Sequence, residues 1–280
     1  MRCAWQAYLS LIPVRMRCEI DHKYQDTLQE VRMRINKPPE LICTDRRIQL
    51  NQLVTDDDLS FSINMASEYS PWTSNTAQLC YITAPGGHRI GICGSIVSND
   101  GYTHGYRNIT SISIRVARDV TGIVTDILPD GSVLILGRPG SGKTTLLREL
   151  IRRRSDTRYE TISVIDERGE IFPIVNGSFC FQTGMHVDVL TGQKKAEGIE
   201  NLLRTMTPDT IAVDEITASA DTSALLNAAW CGVELIATAH ADSVRDFKTR
   251  PVYKPLVDNG IFKYVMILRR DKSWYWEKME

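Results

Sequence analysis

Gly137, Gly142, Lys143 and Thr144 are spaced G-x-x-x-x-G-K-T within the stretch GRPGSGKT. Glycines at such positions let backbone N–H groups turn inward around an anion without Cβ clashes. A helix starting at the lysine would add the positive end of its dipole. Gly137, Arg138, Pro139, Gly140, Ser141, Gly142, Lys143, Thr144 and Thr145 therefore read as a cradle for the β- and γ-phosphates of a nucleotide. In this reading Lys143 neutralises phosphate charge and the Thr144 hydroxyl completes a Mg2+ shell.

Three further clusters have chemistry that complements such a loop. Thr210 to Ile216, TIAVDEI, is an apolar run ending in two carboxylates. Asp214 would hold Mg2+ through a water, and Glu215 would polarise the attacking water. Two acids after a strand are a weak signal alone and a strong one downstream of GKT. Ala237-Thr238-Ala239-His240 closes the next apolar run, where Thr238 or His240 can sense a terminal phosphate. A lone histidine is more often structural than functional. Val164 to Ile171, VIDERGEI, clusters Asp166, Glu167, Arg168 and Glu170 after another run, either as a solvated loop or as part of the same site.

These residues need a scaffold that brings several chain segments to one edge. Five short apolar runs, Val133–Leu136, Ile162–Ile165, Ile211–Val213, Val233–Ala237 and Tyr264–Leu268, suit strands covered on both faces of a parallel sheet. Helical patterns lie between several of them: Leu146, Leu147, Leu150 and Ile151 share one face after the glycine-rich turn, and Ala196–Thr205 and Asp221–Trp230 follow. This alternation predicts a three-layer α/β domain over residues 121–280, with ligand chemistry at the carboxyl ends of its strands. One strand, Ile162–Ile165, is expected in sequence between the glycine-rich loop and the Asp-Glu strand. With Glu215 beside Asp214 and no N-K-x-D guanine-reading sequence, ATP is favoured over GTP.

Residues 1–120 read differently, as a smaller α+β domain. Ala4–Val14 is too short and too interrupted to span a bilayer and is expected to be a packing helix. Glu30–Ile35, Leu41-Ile42, Ala77–Thr83, Arg89–Ile96 and Ser111–Val116 have strand character, with a turn at Pro85-Gly86-Gly87. Asp56–Tyr69 is expected to be a helix capped by Thr55, its acidic first turn suiting the helix dipole. Acidic and basic residues nearly cancel, 34 against 33, which gives no bulk signal for nucleic acid or an anionic membrane. Seven cysteines without a C-x-x-C pair favour neither zinc nor a disulfide framework and fit reduced thiols in the cytoplasm.

The stretches ILGRPGSGKTTLLREL, VIDERGEI, DVLTGQKKAEGIENLLRTMTPDTIAVDEI and GVELIATAH resemble the stage III sporulation protein AA family, relatives of hexameric secretion and pilus ATPases. EVRMRINKPPEL, YITAPGGHRIGICGSIV and RNITSISIRVAR resemble that family's leading domain, so the similarity covers nearly the whole chain. The resemblance implies a RecA-like P-loop ATPase core with a parallel central sheet, preceded by an N-terminal domain that contributes inter-subunit contacts. It also implies homo-oligomeric, hexameric ring assembly, Mg2+-dependent ATP hydrolysis and work with a membrane protein of the sporulation channel complex between mother cell and forespore. Location would then be cytoplasmic, peripheral at the membrane through that partner. By position, VIDERGE would be the acidic box, carrying Glu167, and ATAH the histidine box, carrying His240; Lys143 and Glu215 complete the catalytic set. The secretion group commonly has Gly-Glu where this chain has Asp214-Glu215. Ring enzymes complete each site with arginines from a neighbour; Arg107, Arg115, Arg118, Arg204 and Arg250 are candidates.

The alternative from another class is a nucleic-acid-handling RecA-like ATPase, a helicase or packaging motor. Lys194 and Lys195 would then line a ring pore, though adjacent lysines are usually just solvated. The near-neutral charge weighs against it, and no specific nucleic acid is expected.

Overall fold

The computed structural model describes residues 2–20, 22–68, 81–99, 102–269 and 271–279, with side chains described outside 96–107. Two compact units emerge. One comprises Met1–Asp119 together with Ile174–Cys180; the other comprises Val120–Pro173 and Phe181–Glu280. The short segment Ile174–Cys180, expected with the second half, packs with the first.

In the first unit, helices α1 (Trp5–Ser10) and α2 (Val14–Arg17) precede strands β1 (Leu28–Arg34), β2 (Glu40–Cys43) and β3 (Arg47–Gln49). Helix α3 (Asp56–Ser67) then leads to β4 (Tyr81–Ala84), β5 (His88–Asn99) and β6 (Tyr102–Arg115). The expected helix end at Tyr69 and the start of the expected strand at 77–80 lie outside the described residues. These strands form an antiparallel sheet in the order β3-β2-β1-β6-β5-β4 among the described residues. Alternation along β1 buries Leu28, Val31 and Met33 and exposes Gln29, Arg32 and Arg34, with an irregularity between Leu28 and Glu30 where the register shifts. The buried face packs on Trp5, Tyr8, Leu11 and Ile12, so the apolar N-terminal stretch is a core element of this unit. Thr55 caps α3 as a capping box: its hydroxyl accepts from the Asp58 amide at 3.3 Å while Asp58 accepts from the Thr55 amide at 2.7 Å.

The second unit is built on strands β7 (Val133–Leu136), β8 (Ile162–Asp166), β11 (Val187–Thr191), β12 (Thr210–Val213), β13 (Glu234–Ala239), β14 (Tyr264–Leu268) and β15 (Trp274–Lys278). The two-residue strands β9 (Ile174–Val175) and β10 (Ser178–Phe179) form the hairpin assigned to the first unit. Among the described residues the sheet order is β11-β8-β12-β13-β7-β14-β15, parallel except for β15. Two strands of this sheet, β8 and β11, rather than one, lie in sequence between β7 and β12. β11 escapes notice in the sequence because it is a half-exposed edge strand with no continuous apolar run. Helices α4 (Lys143–Arg158), α5 (Lys195–Thr205) and α6 (Ser219–Trp230) connect the strands, followed by the short α7 (Val244–Thr249) and α8 (Lys254–Asp258).

All four residues of β7 and of β12 are buried, which is what a strand covered on both faces requires. Leu146, Leu147, Leu150 and Ile151 of α4 are each at most 1% exposed. Burying each such side chain contributes about 1.5–3 kcal/mol. Arg154, on the same helix, is also buried, at 1% exposure. It donates to Glu160 at 2.8 Å, to the Gly131 carbonyl at 3.1 Å and to Thr210 at 3.2 Å, and pairs with Glu234. This network ties the amino ends of β12 and β13, opposite the rim where the loop residues gather.

His88 sets a pH limit on the first unit. It is fully buried; its Nδ1 accepts from the Ala117 amide at 3.0 Å, so its Nε2 carries the proton donated to the Ala4 carbonyl at 3.0 Å. Burial pushes its pKa down to about 4 from the ordinary 6.5. Between those values the unfolded chain binds more protons than the folded one, so stability is held above pH 6.5 and lost as pH falls towards 4. This ring should remove up to about 3 kcal/mol over that window. Urea unfolding at stepped pH is expected to show a shallower acid loss in His88→Gln than in the wild type.

Candidate nucleotide site

Strand register assembles the site. Leu136 at the end of β7 is level with Ala239 of β13 and Ile267 of β14, and Val213 at the end of β12 is level with Ala237. Gly137, His240, Leu268 and Asp214 therefore all leave the sheet at one rim, in adjoining columns. The loop from Gly137 to Gly142 then delivers the chain to the first turn of α4.

The glycines meet two separate demands. A Cβ at Gly137 would lie 2.6 Å from Ser141 Oγ, closer than packing allows, and a tight 3.2 Å from Leu268 Cβ. Gly140 and Gly142 have φ of +75° and +106°, the left-handed region that side chains disfavour. The first N–H groups of α4 have no intrahelical acceptor and stand at the positive end of its dipole. Ser141 Oγ is buried without a hydrogen-bond partner. An orphaned hydroxyl, free amides and a glycine cradle in one loop fit an anion with several oxygens. Arg138, Pro139 and Gly140 form the exposed tip, where Arg138 donates to Asp242 at 2.7 Å. Thr145 follows in the first turn of α4, partly buried.

Lys143 is 7% exposed. Its Nζ donates to the Gly137 and Arg138 carbonyls, each at 3.0 Å, and lies 3.0 Å from His240 Nδ1. Burial lowers its pKa, opposed by the charges of Asp214 and Glu215. On the other edge of the His240 ring, Nε2 is 3.0 Å from Glu215 Oε1. One imidazole thus links the loop lysine to the strand-end glutamate.

Asp214 is held by two threonines from different elements. Thr144 Oγ1 donates to its Oδ2 at 2.6 Å, and Thr238 Oγ1 donates to its Oδ1. Thr238 also accepts from the Glu215 amide at 2.8 Å, and the Ile216 amide donates to the Thr238 carbonyl at 2.9 Å. Glu215 turns at φ +54°, which lets its side chain leave the strand line towards His240. Thr238 is therefore a positioning group beneath the carboxylates. Thr144 and Asp214 together supply the hydroxyl and carboxylate oxygens a hard divalent cation takes.

The acidic cluster divides its labour. Asp166 accepts from the amides of Glu170, Ile171 and Phe172 at 2.8–2.9 Å and so folds the turn after β8. Burial pushes its carboxyl up to about 6, against the pull of the Phe172 and Ile171 amides. Glu167 faces the cleft shared with Asp214 and Glu215 and is bound by Lys195 at 2.6 Å. Arg168 approaches Glu215 at 3.7 Å. Lys195 is thus 8% exposed and ion-paired, not the solvated or pore-lining lysine that its adjacency to Lys194 suggests. Glu167 and Lys195 are 28 residues apart, so only the tertiary fold shows their pairing.

On the far side of the loop, a cleft of about 670 Å³ opens between Arg138, Gly140 and Ser141 and the strand-end residues Leu268, Arg269 and Tyr275. No motif in the sequence marks this cleft; the aromatic run of WYWEK is the one local signal near it. Among the candidate trans arginines, Arg118 donates to the Gln25 and Leu28 carbonyls at 2.6 and 2.7 Å, a structural use within the first unit. Arg115, Arg204 and Arg250 keep exposed side chains beside Glu30, Glu200 and Asp246. The Arg107 side chain lies outside the described residues.

The threonine clamp predicts a stability effect separable from chemistry. Thr238→Val leaves the Glu215 amide without its acceptor and Asp214 Oδ1 without its donor, with Thr144 still on Oδ2, and should cost about 1–3 kcal/mol in urea unfolding. Thr238→Ser, which keeps the hydroxyl, should recover most of that loss.

The family model described as "Sporulation stage III, protein AA" matches residues 6–274. Stage III sporulation protein AA of Bacillus subtilis is 37% identical over 266 residues, covering 91% of this chain and 87% of that protein. Among solved structures, the Legionella pneumophila ATPase DotB aligns with a TM-score of 0.60 at 19% identity, over 96% of this chain and 82% of that one. The pilus retraction motor PilT with bound ADP aligns with a TM-score of 0.59 at 16% identity, over 90% of this chain and 77% of that one. These likenesses show that the fold is that of the RecA-like secretion ATPases, with the smaller α+β unit leading. With a family match over nearly its whole length, the chain belongs to the stage III sporulation protein AA family.

Proposed function

We propose that this chain is a Mg2+-dependent ATPase of the secretion-motor kind, with ATP held on the Gly137–Thr144 loop. The observation that carries the reading is the convergence of Lys143, Thr144, Asp214, Glu215 and His240 at one sheet rim, linked by hydrogen bonds of 2.6–3.0 Å. Loop amides and Lys143 would bind the β- and γ-phosphates, and Thr144 and Asp214 would hold Mg2+. The ion's chemistry is to neutralise charge developing on the transferring phosphoryl group. Glu215, beside the place for the terminal phosphate, would orient and deprotonate water. Lys143 must exchange the Gly137 and Arg138 carbonyls and His240 for phosphate oxygens when nucleotide binds, so His240 and Glu215 would feel that exchange. Glu167, held by Lys195, would add negative charge beside Glu215.

The family assignment and the fold shared with a pilus retraction motor support coupling of turnover to a membrane-bound partner, in a sporulation channel between mother cell and forespore. Ring assembly, a hexamer by family resemblance, with an arginine supplied in trans completes this proposal. Arg115, Arg204 and Arg250 have the exposure such a role requires. The domain at 1–120 would supply inter-subunit contacts, and 121–280 the nucleotide site. Among the described residues no helix is long and apolar enough to cross a membrane.

ATP turnover measured across protein concentrations, with mass determined in parallel, tests this reading. Wild-type rate per chain is expected to need Mg2+ and to rise with assembly. Lys143→Ala should lose nucleotide binding, whereas Glu215→Gln should bind ATP and turn over about 10²–10⁴-fold more slowly. Equal turnover in all three proteins, or none in the wild type at any concentration, would overturn it.

A further inference from the structure

The loop strand β7 sits between β13 and β14, and the two sides of the loop differ in chemistry. On the β13 side stand Asp214, Glu215 and His240, the groups suited to a terminal phosphate and its cation. A nucleotide laid on the loop with its terminal phosphate there must run its sugar and base the other way, towards β14 and β15. That is where the 670 Å³ cleft lies, within the size range of small-molecule sites. Leu268 seals its inner end against the loop, since it lies beside the position of a Cβ at Gly137 and at Gly142. Its outer wall carries two flat groups: the Arg269 guanidinium lies 4.8 Å from the centroid of the Tyr275 ring. Tyr275 is 39% exposed, an aromatic face left accessible on the edge strand of the sheet. The tip arginine, Arg138, pairs with Asp242 at the same cleft, so the acid there is neutralised rather than set against phosphate.

We propose that this cleft is the base subsite of the nucleotide, where the heteroaromatic ring of ATP stacks on the plane offered by Tyr275 and Arg269. The proposal rests on the ATP-binding reading above. Tyr275 acts in it as a stacking surface and Arg269 as the cation that orients it and adds cation–π attraction to the base. The phosphates are taken by the loop and the groups on its β13 side, outside this cleft, so the two halves of the ligand are separable.

The test is calorimetric binding, with Mg2+, of a β,γ-imido analogue of ATP and of inorganic tripolyphosphate, which has no base. Tyr275→Ala is expected to weaken the analogue about tenfold, from lost stacking, and to leave tripolyphosphate affinity unchanged. Tyr275→Phe should bind both ligands as the wild type does, and thermal unfolding of each variant checks that the fold is kept. Undiminished analogue binding by Tyr275→Ala, or a parallel loss of both ligands, would overturn the base subsite. Lys143→Ala separates the underlying reading, because it should lose both ligands. If the wild type binds tripolyphosphate as tightly as the analogue, the cleft assignment falls and the phosphate loop stands. If the wild type binds neither, both fall.

Discussion

Parallel pairing of β7 with β13, and of β13 with β12, is the constraint on which the rest of the second unit depends. Parallel strands share a direction, so their carboxyl ends come to one edge and each following residue leaves the sheet at the same level. Level pairing of Leu136 with Ala239 brings the loop to His240, and of Val213 with Ala237 brings Asp214 to Thr238. A slip of one residue would send each strand's side chains to the opposite face and break every one of these contacts. The register is enforced from below by continuous apolar burial along β7, β12 and most of β13, and at the far end by the buried Arg154 network.

The charged groups of the rim have partners within the chain. Lys143 rests on two carbonyls and an imidazole, and Asp214 on two threonine hydroxyls. Such pairing offsets the cost of burying these groups. It also means that an anion approaching Lys143 would compete with these internal partners, one of which, His240, is bonded to Glu215 as well. The geometry therefore connects the loop lysine to the strand-end glutamate through a single histidine ring.

The first unit is stabilised by other means. Its sheet is antiparallel, one face apolar and one polar, and the N-terminal helices close the apolar side. Its polar core group, His88, is buried in a fixed tautomer by one donor and one acceptor of the main chain. Where the second unit gathers charge at an edge, the first keeps an ionisable ring neutral in its interior.

Features confined to contiguous residues were legible in the sequence. The loop Gly137–Thr144 is written in its glycines because positive φ and close approach are local demands, and the helix after it follows from apolar spacing. Asp214 and Glu215 are marked by the apolar run Ile211–Val213 that they end, and α3 by its Thr55 cap. Pairings between distant segments had no such signature. Thr238 beneath Asp214, Lys195 on Glu167, the hairpin Ile174–Cys180 and the Tyr275 wall are each a product of packing. Edge strands β11 and β15 lack continuous apolar runs because each has one neighbour and partly exposed side chains. The sequence by itself determined a glycine-rich loop before a helix, an acidic strand end and a two-part chain. The tertiary structure decided which side chains face each other across the rim, because a contact between strands depends on register and burial that neither segment encodes alone.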